Sequence, residues 1–434
     1  MTTAEVTLWG TRLGAVSLPD GDRFATFEYF PEFVERGVEV SPLTMPLGST
    51  IYRFPALDTA SFSGLPGLLA DSLPDRYGNA LIDAWLAGQG RRPGSFDPVE
   101  RLCYVGRRGM GALEFRPMRG PEPAVSNEIH VAELARLAAR VLAGRGELET
   151  SLNEKSRAMR EILRVGTSAG GARAKALVAL NSETMELRSG QIGAGPGFEY
   201  WILKFDGVGD DSRDLGSSHG YGAIEYAYSR MAAAAGVAMS ECRLLEEGER
   251  RHFMTKRFDR DPDGSKIHMQ SLAGLRHLDF RQPGANSYEQ AFMAIRDLNM
   301  DRGRDALEQQ VRRMIFNVVA RNQDDHVKNI AFLMDRQGRW SLAPAFDVVY
   351  AYNPSGDWTA MHQMSINGRR DEFTMSDVRR AGEAATLKRG RVDEVFAEVS
   401  SAVGRWPELA AEAGVPDERV QEIRETHRLT LPAG

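Results

Sequence analysis

Apolar residues recur at helical spacing through Leu307, Val311, Met314, Ile315, Val318 and Val319, the stripe of an amphipathic helix that stops near Asn322. Polar residues then run to Asn329 and read as a loop. Ile330–Met334 and Trp340–Leu342, either side of Asp335-Arg336-Gln337-Gly338, read as two strands joined by a turn. Val131, Leu134, Leu137, Ala138 and Val141 mark a helix over Ile129–Leu142, and a second helical pattern covers Asn153–Leu163. The first ~115 residues alternate in short strands, Val6–Trp9 and Arg23–Tyr29 among them, with Gly/Pro turns and one helix over Arg76–Ala87. From Val165 to about Asp263 the pattern is strand-rich, with Lys175–Leu180, Tyr200–Phe205 and His252–Phe258 as strands and a helix over Glu225–Ala235. After Tyr288 helices dominate. The expected class is α+β, divided at a Pro-rich linker after Arg116 and again near Asp263 into units 1–125, 126–262 and 263–434.

Composition narrows the function classes. A net charge of −6 argues against a chain that grips nucleic acid over a large surface unaided. Cys103 and Cys242 are the only cysteines, too few for a disulfide framework or a cysteine-rich metal module, and they suit a reducing cytoplasm. No stretch approaches the ~20 apolar residues that span a bilayer, so no membrane role is expected and the chain reads as cytoplasmic.

Candidate chemistry concentrates in Asn322-Gln323-Asp324-Asp325-His326-Val327-Lys328-Asn329 and Ala343-Pro344-Ala345-Phe346-Asp347. Phosphoryl transfer needs position and charge more than covalent help: a carboxylate to orient the attacking hydroxyl and hard oxygen ligands for magnesium. Asp324 suits the first role; Asn329 and Asp347, brought to one end of the hairpin, suit the second. A capping-rich polar loop would account for Asp324, Asp325 and His326 taken alone, and the full spacing is what favours chemistry. His326 has no second His or Cys at ligand spacing, which argues against a transition-metal site. Gly166 to Gly171 is glycine-rich enough to cradle phosphate oxygens, although Ala172 stands where a Walker A loop needs Lys.

These runs, with Ser168-Ala169-Gly170-Gly171-Ala172-Arg173-Ala174-Lys175, Trp201-Ile202-Leu203-Lys204-Phe205, Arg257-Phe258-Asp259-Arg260, the segment Gly64 to Asp75 and Gly109-Met110-Gly111-Ala112-Leu113, resemble the HipA family of serine/threonine kinases, the toxin halves of bacterial toxin–antitoxin pairs. The resemblance covers nearly the full length. It implies a HipA-like two-lobed protein-kinase-like fold: a small mixed α/β N-terminal subdomain, a strand-rich nucleotide lobe and a mainly helical C-lobe. It implies ATP and Mg2+ as cofactors, autophosphorylation at Ser168 as a silencing step, a HipB-like helix-turn-helix antitoxin as partner, and a protein substrate such as an aminoacyl-tRNA synthetase.

Within that frame Lys204, sharing a strand face with Ile202, is the candidate phosphate lysine, with Glu225 as its ion-pair partner. Glu at a helix start is independently favourable, so a capping role for Glu225 stays open. Ser168, Ala169, Gly170, Gly171, Lys175 and His326 join the nucleotide-contacting set, and the backbone around Lys256 and Arg257, with Phe258, is expected at the adenine. Asp259 and Arg260 fit a structural salt bridge equally well. Arg369 to Arg391 carries a local net charge of +3, which is either a solvated helical face or a secondary contact to operator DNA held by the antitoxin. Two other classes stay open: a small-molecule phosphotransferase using the same carboxylates, and a non-catalytic subunit that only binds an antitoxin.

Overall fold

The computed structural model of the chain describes residues 1–120, 129–143, 173–208, 220–248 and 250–434. The N-terminal subdomain is built on a four-stranded antiparallel sheet in the order Thr26–Tyr29, Thr11–Leu18, Thr2–Leu8, Leu113–Arg116. Alternation along these strands turns Val6, Val16 and Phe27 inward. The helix Pro98–Val105 packs on this sheet, started by Pro98 and a capping box in which Asp97 and Glu100 satisfy each other's backbone N–H groups. The expected helix after residue 75 is present as Arg76–Gly88.

A five-stranded antiparallel sheet forms the next layer, in the order Leu187–Ser189, Lys175–Leu180, Glu199–Lys204, Arg250–Lys256, Cys242–Glu247. All six residues of Lys175–Leu180 are buried. One reason is that the helices Val131–Ala143 and Arg76–Gly88 share a hydrophobic core with this sheet through Leu134, Tyr77 and Leu81. The expected helix over Asn153–Leu163 lies outside the described residues.

Two expectations need correction. The helix read as beginning at Glu225 begins at Tyr221 and runs to Ala234, capped by Gly220 in the left-handed region. Tyr221 and Gly222 are its first residues; a Cβ on Gly222 would lie 2.2 Å from the Arg251 carbonyl oxygen, so only Gly lets the helix lie so close to the sheet. The strand expected to run to Phe258 ends at Lys256.

The C-lobe is mainly helical around Gly303–Val319, whose Val311, Met314, Ile315, Val318 and Val319 are buried as their spacing predicts. The expected hairpin is present as Ala331–Met334 and Trp340–Leu342, with His268–Ser271 paired on its other side. The largest hydrophobic core runs without a break from the N-terminal sheet into the C-lobe. No helix among the described residues is long and apolar enough to cross a membrane.

Candidate functional site

The long central helix ends at Val319, and Arg321 at φ 58° turns the chain into the 322–329 loop. Neighbouring aspartates there face opposite ways. Asp325 is buried and accepts from Tyr288 Oη (2.7 Å), His362 Nδ1 (2.8 Å) and the Gln363 N–H (2.8 Å), which ties the loop to the C-lobe. Burial pushes its carboxyl upward, but His362 and these donors outweigh it and hold the pKa below the usual range.

Asp324 opens to the cleft, its side chain 38% exposed, and accepts from Trp358 Nε1 at 2.6 Å. Its carboxyl is pushed up by burial, with Asp347 and Asp325 adding, against the pull of His326 and the indole bond. Asn329 closes a short 3-10 turn, Val327–Asn329, and gives its amide N–H to the Asp324 carbonyl at 2.9 Å, leaving the amide oxygen as its remaining donor atom for a cation. The hairpin then returns the chain to Asp347, held at φ 54°.

Lys204 joins the two lobes. Its Nζ lies 2.5 Å from Glu225 Oε1 and 2.5 Å from Asp347 Oδ1. Burial disfavours the ammonium, yet the two carboxylates outweigh it and raise the pKa. Asp347, raised by burial, is brought well below the usual carboxylate range by Lys204, with Lys175 and His326 contributing. Glu225 stands in the second turn of its helix and is buried against Lys204, so the ion-pair reading holds and the helix-start capping reading does not.

Lys175, Lys204, Lys256, Arg257, Phe258, Asp324, His326, Asn329 and Asp347 all line one cavity of about 1390 Å³. Ser168, Ala169, Gly170 and Gly171 lie outside the described residues; Arg173, just after them, lines the cavity and stacks on Tyr221 at 4.1 Å. The Lys256 N–H donates to Glu241 O and the Arg257 N–H to Tyr200 O, so neither remains for an adenine edge. The Lys256 ammonium pairs with Glu199 and Glu241. The buried Arg257 and Arg260 guanidinia close on Asp259, which is the structural reading of that run. Phe258 faces Phe346 with ring centroids 5.4 Å apart.

Sequence reasoning gave no role to Asp75, Trp358, Asp71 or Lys328, all of which line the cavity. Asp75 pairs with Lys175 at 3.1 Å, and Trp358 holds Asp324. Asp71 accepts from the Ser271 N–H and hydroxyl, each at 2.7 Å, and Lys328 sits over the Phe280 ring at 4.6 Å. Within Arg369 to Arg391, Arg379 pairs with Asp393, and Arg391 with Glu308, Glu394 and Glu398, all acids outside the stretch.

The donor set suits magnesium, which needs few protein oxygens and takes the rest from water and phosphate. Asp347 and Asn329 are such a pair. Among the described residues no three His, Cys, Asp or Glu cluster as a transition-metal site would require.

Comparison with known proteins agrees with this architecture. The toxin–antitoxin protein HipA of Shewanella oneidensis MR-1, solved with HipB and its operator DNA, aligns over 97% of this chain and 94% of its own at a TM-score of 0.66 and 17% identity. The proinflammatory kinase CtkA of Helicobacter pylori aligns over 60% of this chain and 90% of its own, with a TM-score of 0.38 and 14% identity. No curated protein sequence matches the chain. The family model of the HipA N-terminal domain matches residues 4–116, where the small sheet lies, and that of the HipA-like C-terminal domain matches 167–406, which holds both lobes of the cleft. With more than half of its length matched by the second model alone, the chain belongs to the HipA family.

Proposed function

We propose that the chain is an ATP- and Mg2+-dependent serine/threonine protein kinase and the toxin of a toxin–antitoxin pair. The observation that carries this reading is the convergence of Asp324, Asn329, Asp347 and the Lys204–Glu225 ion pair on one cleft between a strand-rich and a helical lobe. Lys204, kept charged by Asp347 and Glu225, binds nucleotide phosphate. Asn329 and Asp347 would hold magnesium, which neutralises charge on the phosphates when bound. Asp324, oriented by Trp358, holds the acceptor hydroxyl in line and takes its proton as the new O–P bond forms and the bond from the γ-phosphorus to the bridging oxygen breaks, releasing ADP.

Membership of the HipA family supports a HipB-like antitoxin as partner and operator DNA as a contact made through it. The acceptor is a serine or threonine of a protein such as an aminoacyl-tRNA synthetase, and phosphorylation of Ser168 silences the enzyme by placing negative charge in a phosphate-binding loop. Intact-mass spectrometry after incubation with ATP and magnesium tests this. One phosphate, about 80 Da, is expected on Ser168 of the wild type and none on Asp324→Ala. A folded, initially unphosphorylated protein that binds ATP and gains no mass would count against autophosphorylation and turn attention to small-molecule acceptors.

A further inference from the structure

The cleft holds a second lysine, and the carboxylate on it comes from a different part of the chain. Lys175 and Lys204 are direct partners in the antiparallel register of their strands, so both side chains leave the same face. Two ammonium groups so placed repel one another unless anions stand between or beside them. Lys204 has Glu225 and Asp347. Lys175, its side chain 3% exposed, has Asp75 at 3.1 Å.

Asp75 is well anchored. Its Oδ1 accepts from the Gly78 N–H at 2.7 Å and caps the helix Arg76–Gly88, leaving Oδ2 for the lysine. That helix buries Tyr77 and Leu81 in the core of the five-stranded sheet, so the carboxylate is fixed relative to the strand carrying Lys175. Burial disfavours the charged form of Lys175 and keeps its pKa below the ordinary lysine value, with Asp75 opposing that effect.

We propose that Asp75 is a positioning residue for Lys175, holding its ammonium beside that of Lys204 as a second cation for the nucleotide phosphates, so that the N-terminal subdomain completes the nucleotide site. The inference rests on the ATP-binding reading above. It assigns Asp75 the part that Glu225 plays for Lys204, with the carboxylate supplied from a segment 100 residues away in the chain.

The test is a cycle of the full-length wild type, Asp75→Asn, Lys175→Gln and the double variant, with dissociation constants measured for ATP and for adenosine. Asn caps a helix as well as Asp does, so Asp75→Asn removes the charge and keeps the cap. ATP is expected to bind about tenfold more weakly or worse to Asp75→Asn, the scale of a hydrogen bond to a charged group. Adenosine, which has no phosphate, should change by less than about twofold, as should ATP when Asp75→Asn is added to Lys175→Gln. Asp75→Glu should recover part of the loss, and it enters the same cycle if Asp75→Asn does not fold. Unchanged or tighter ATP binding by Asp75→Asn, equal losses for both ligands, or an undiminished effect in the Lys175→Gln background would overturn the role of Asp75. A wild type that binds no ATP would instead overturn the nucleotide reading itself.

Discussion

Asp324 and Asp325 are adjacent, and the geometry separates what their removal should do. Replacing Asp325 with Ala leaves the Tyr288 hydroxyl, the His362 Nδ1–H and the Gln363 N–H without their acceptor in a site closed to water. Each orphaned donor costs about 1–3 kcal/mol, so three of them, taken near the low end, give Asp325→Ala a loss of roughly 3–5 kcal/mol. Set against a typical stability of about 5–15 kcal/mol, that is a large fraction, and the urea midpoint should fall clearly. Asp324→Ala removes a side chain that is 38% exposed and makes its one strong bond to Trp358. It should cost under about 1 kcal/mol while abolishing phosphoryl transfer. Urea denaturation of both variants, followed by circular dichroism beside a transfer assay, decides the matter. Equal stability losses, or an Asp325→Ala loss below about 1 kcal/mol, would refute the division of labour.

Asp259→Ala strands two buried guanidinia and the Gly111 N–H, and should cost about 3–5 kcal/mol of unfolding free energy. Asp259 is raised by burial but carried far below its ordinary value by Arg257 and Arg260, so the charge contributes stability above the unfolded pKa and loses it as pH falls through the folded one. The gap between wild type and Asp259→Ala, measured by denaturation, should therefore be full above pH ~4 and close in stronger acid; a constant gap would contradict the pairing. Trp358→Phe deletes the indole donor that favours ionised Asp324. Its kcat should fall about tenfold and the acid limb of the pH–rate profile should move upward, whereas an unmoved limb would mean that the indole does not tune the carboxylate.

What was legible in the sequence follows from how local each signal is. Asp324, Asn329 and Asp347 lie within one loop and hairpin, and the strands Lys175–Leu180 and Trp340–Leu342 fall where their patterns put them, because alternation and turn residues act over a few positions. The start of Tyr221–Ala234 was misread because Gly222 looks like punctuation when its neighbour Arg251 is unseen. Asp75 and Trp358 carry no motif for their roles: one reaches Lys175 from 100 residues away and the other reaches Asp324 from 34 residues away. The Arg369 to Arg391 stretch shows the same limit, since Asp393 and Glu308, the partners of Arg379 and Arg391, lie outside the window.

The cluster around Asp259 also has a mechanical consequence. Arg257, Asp259 and Arg260 follow the last residue of the strand Arg250–Lys256, where the chain crosses between the lobes. Asp259 takes the Gly111 N–H at 2.7 Å, while Arg260 reaches the carbonyls of Gly111 (3.3 Å) and Gly109 (3.1 Å). The crossover is thus riveted to the segment that leads into the N-terminal sheet. A displacement of the N-terminal sheet is therefore passed directly to the residues that link the five-stranded sheet to the helical lobe.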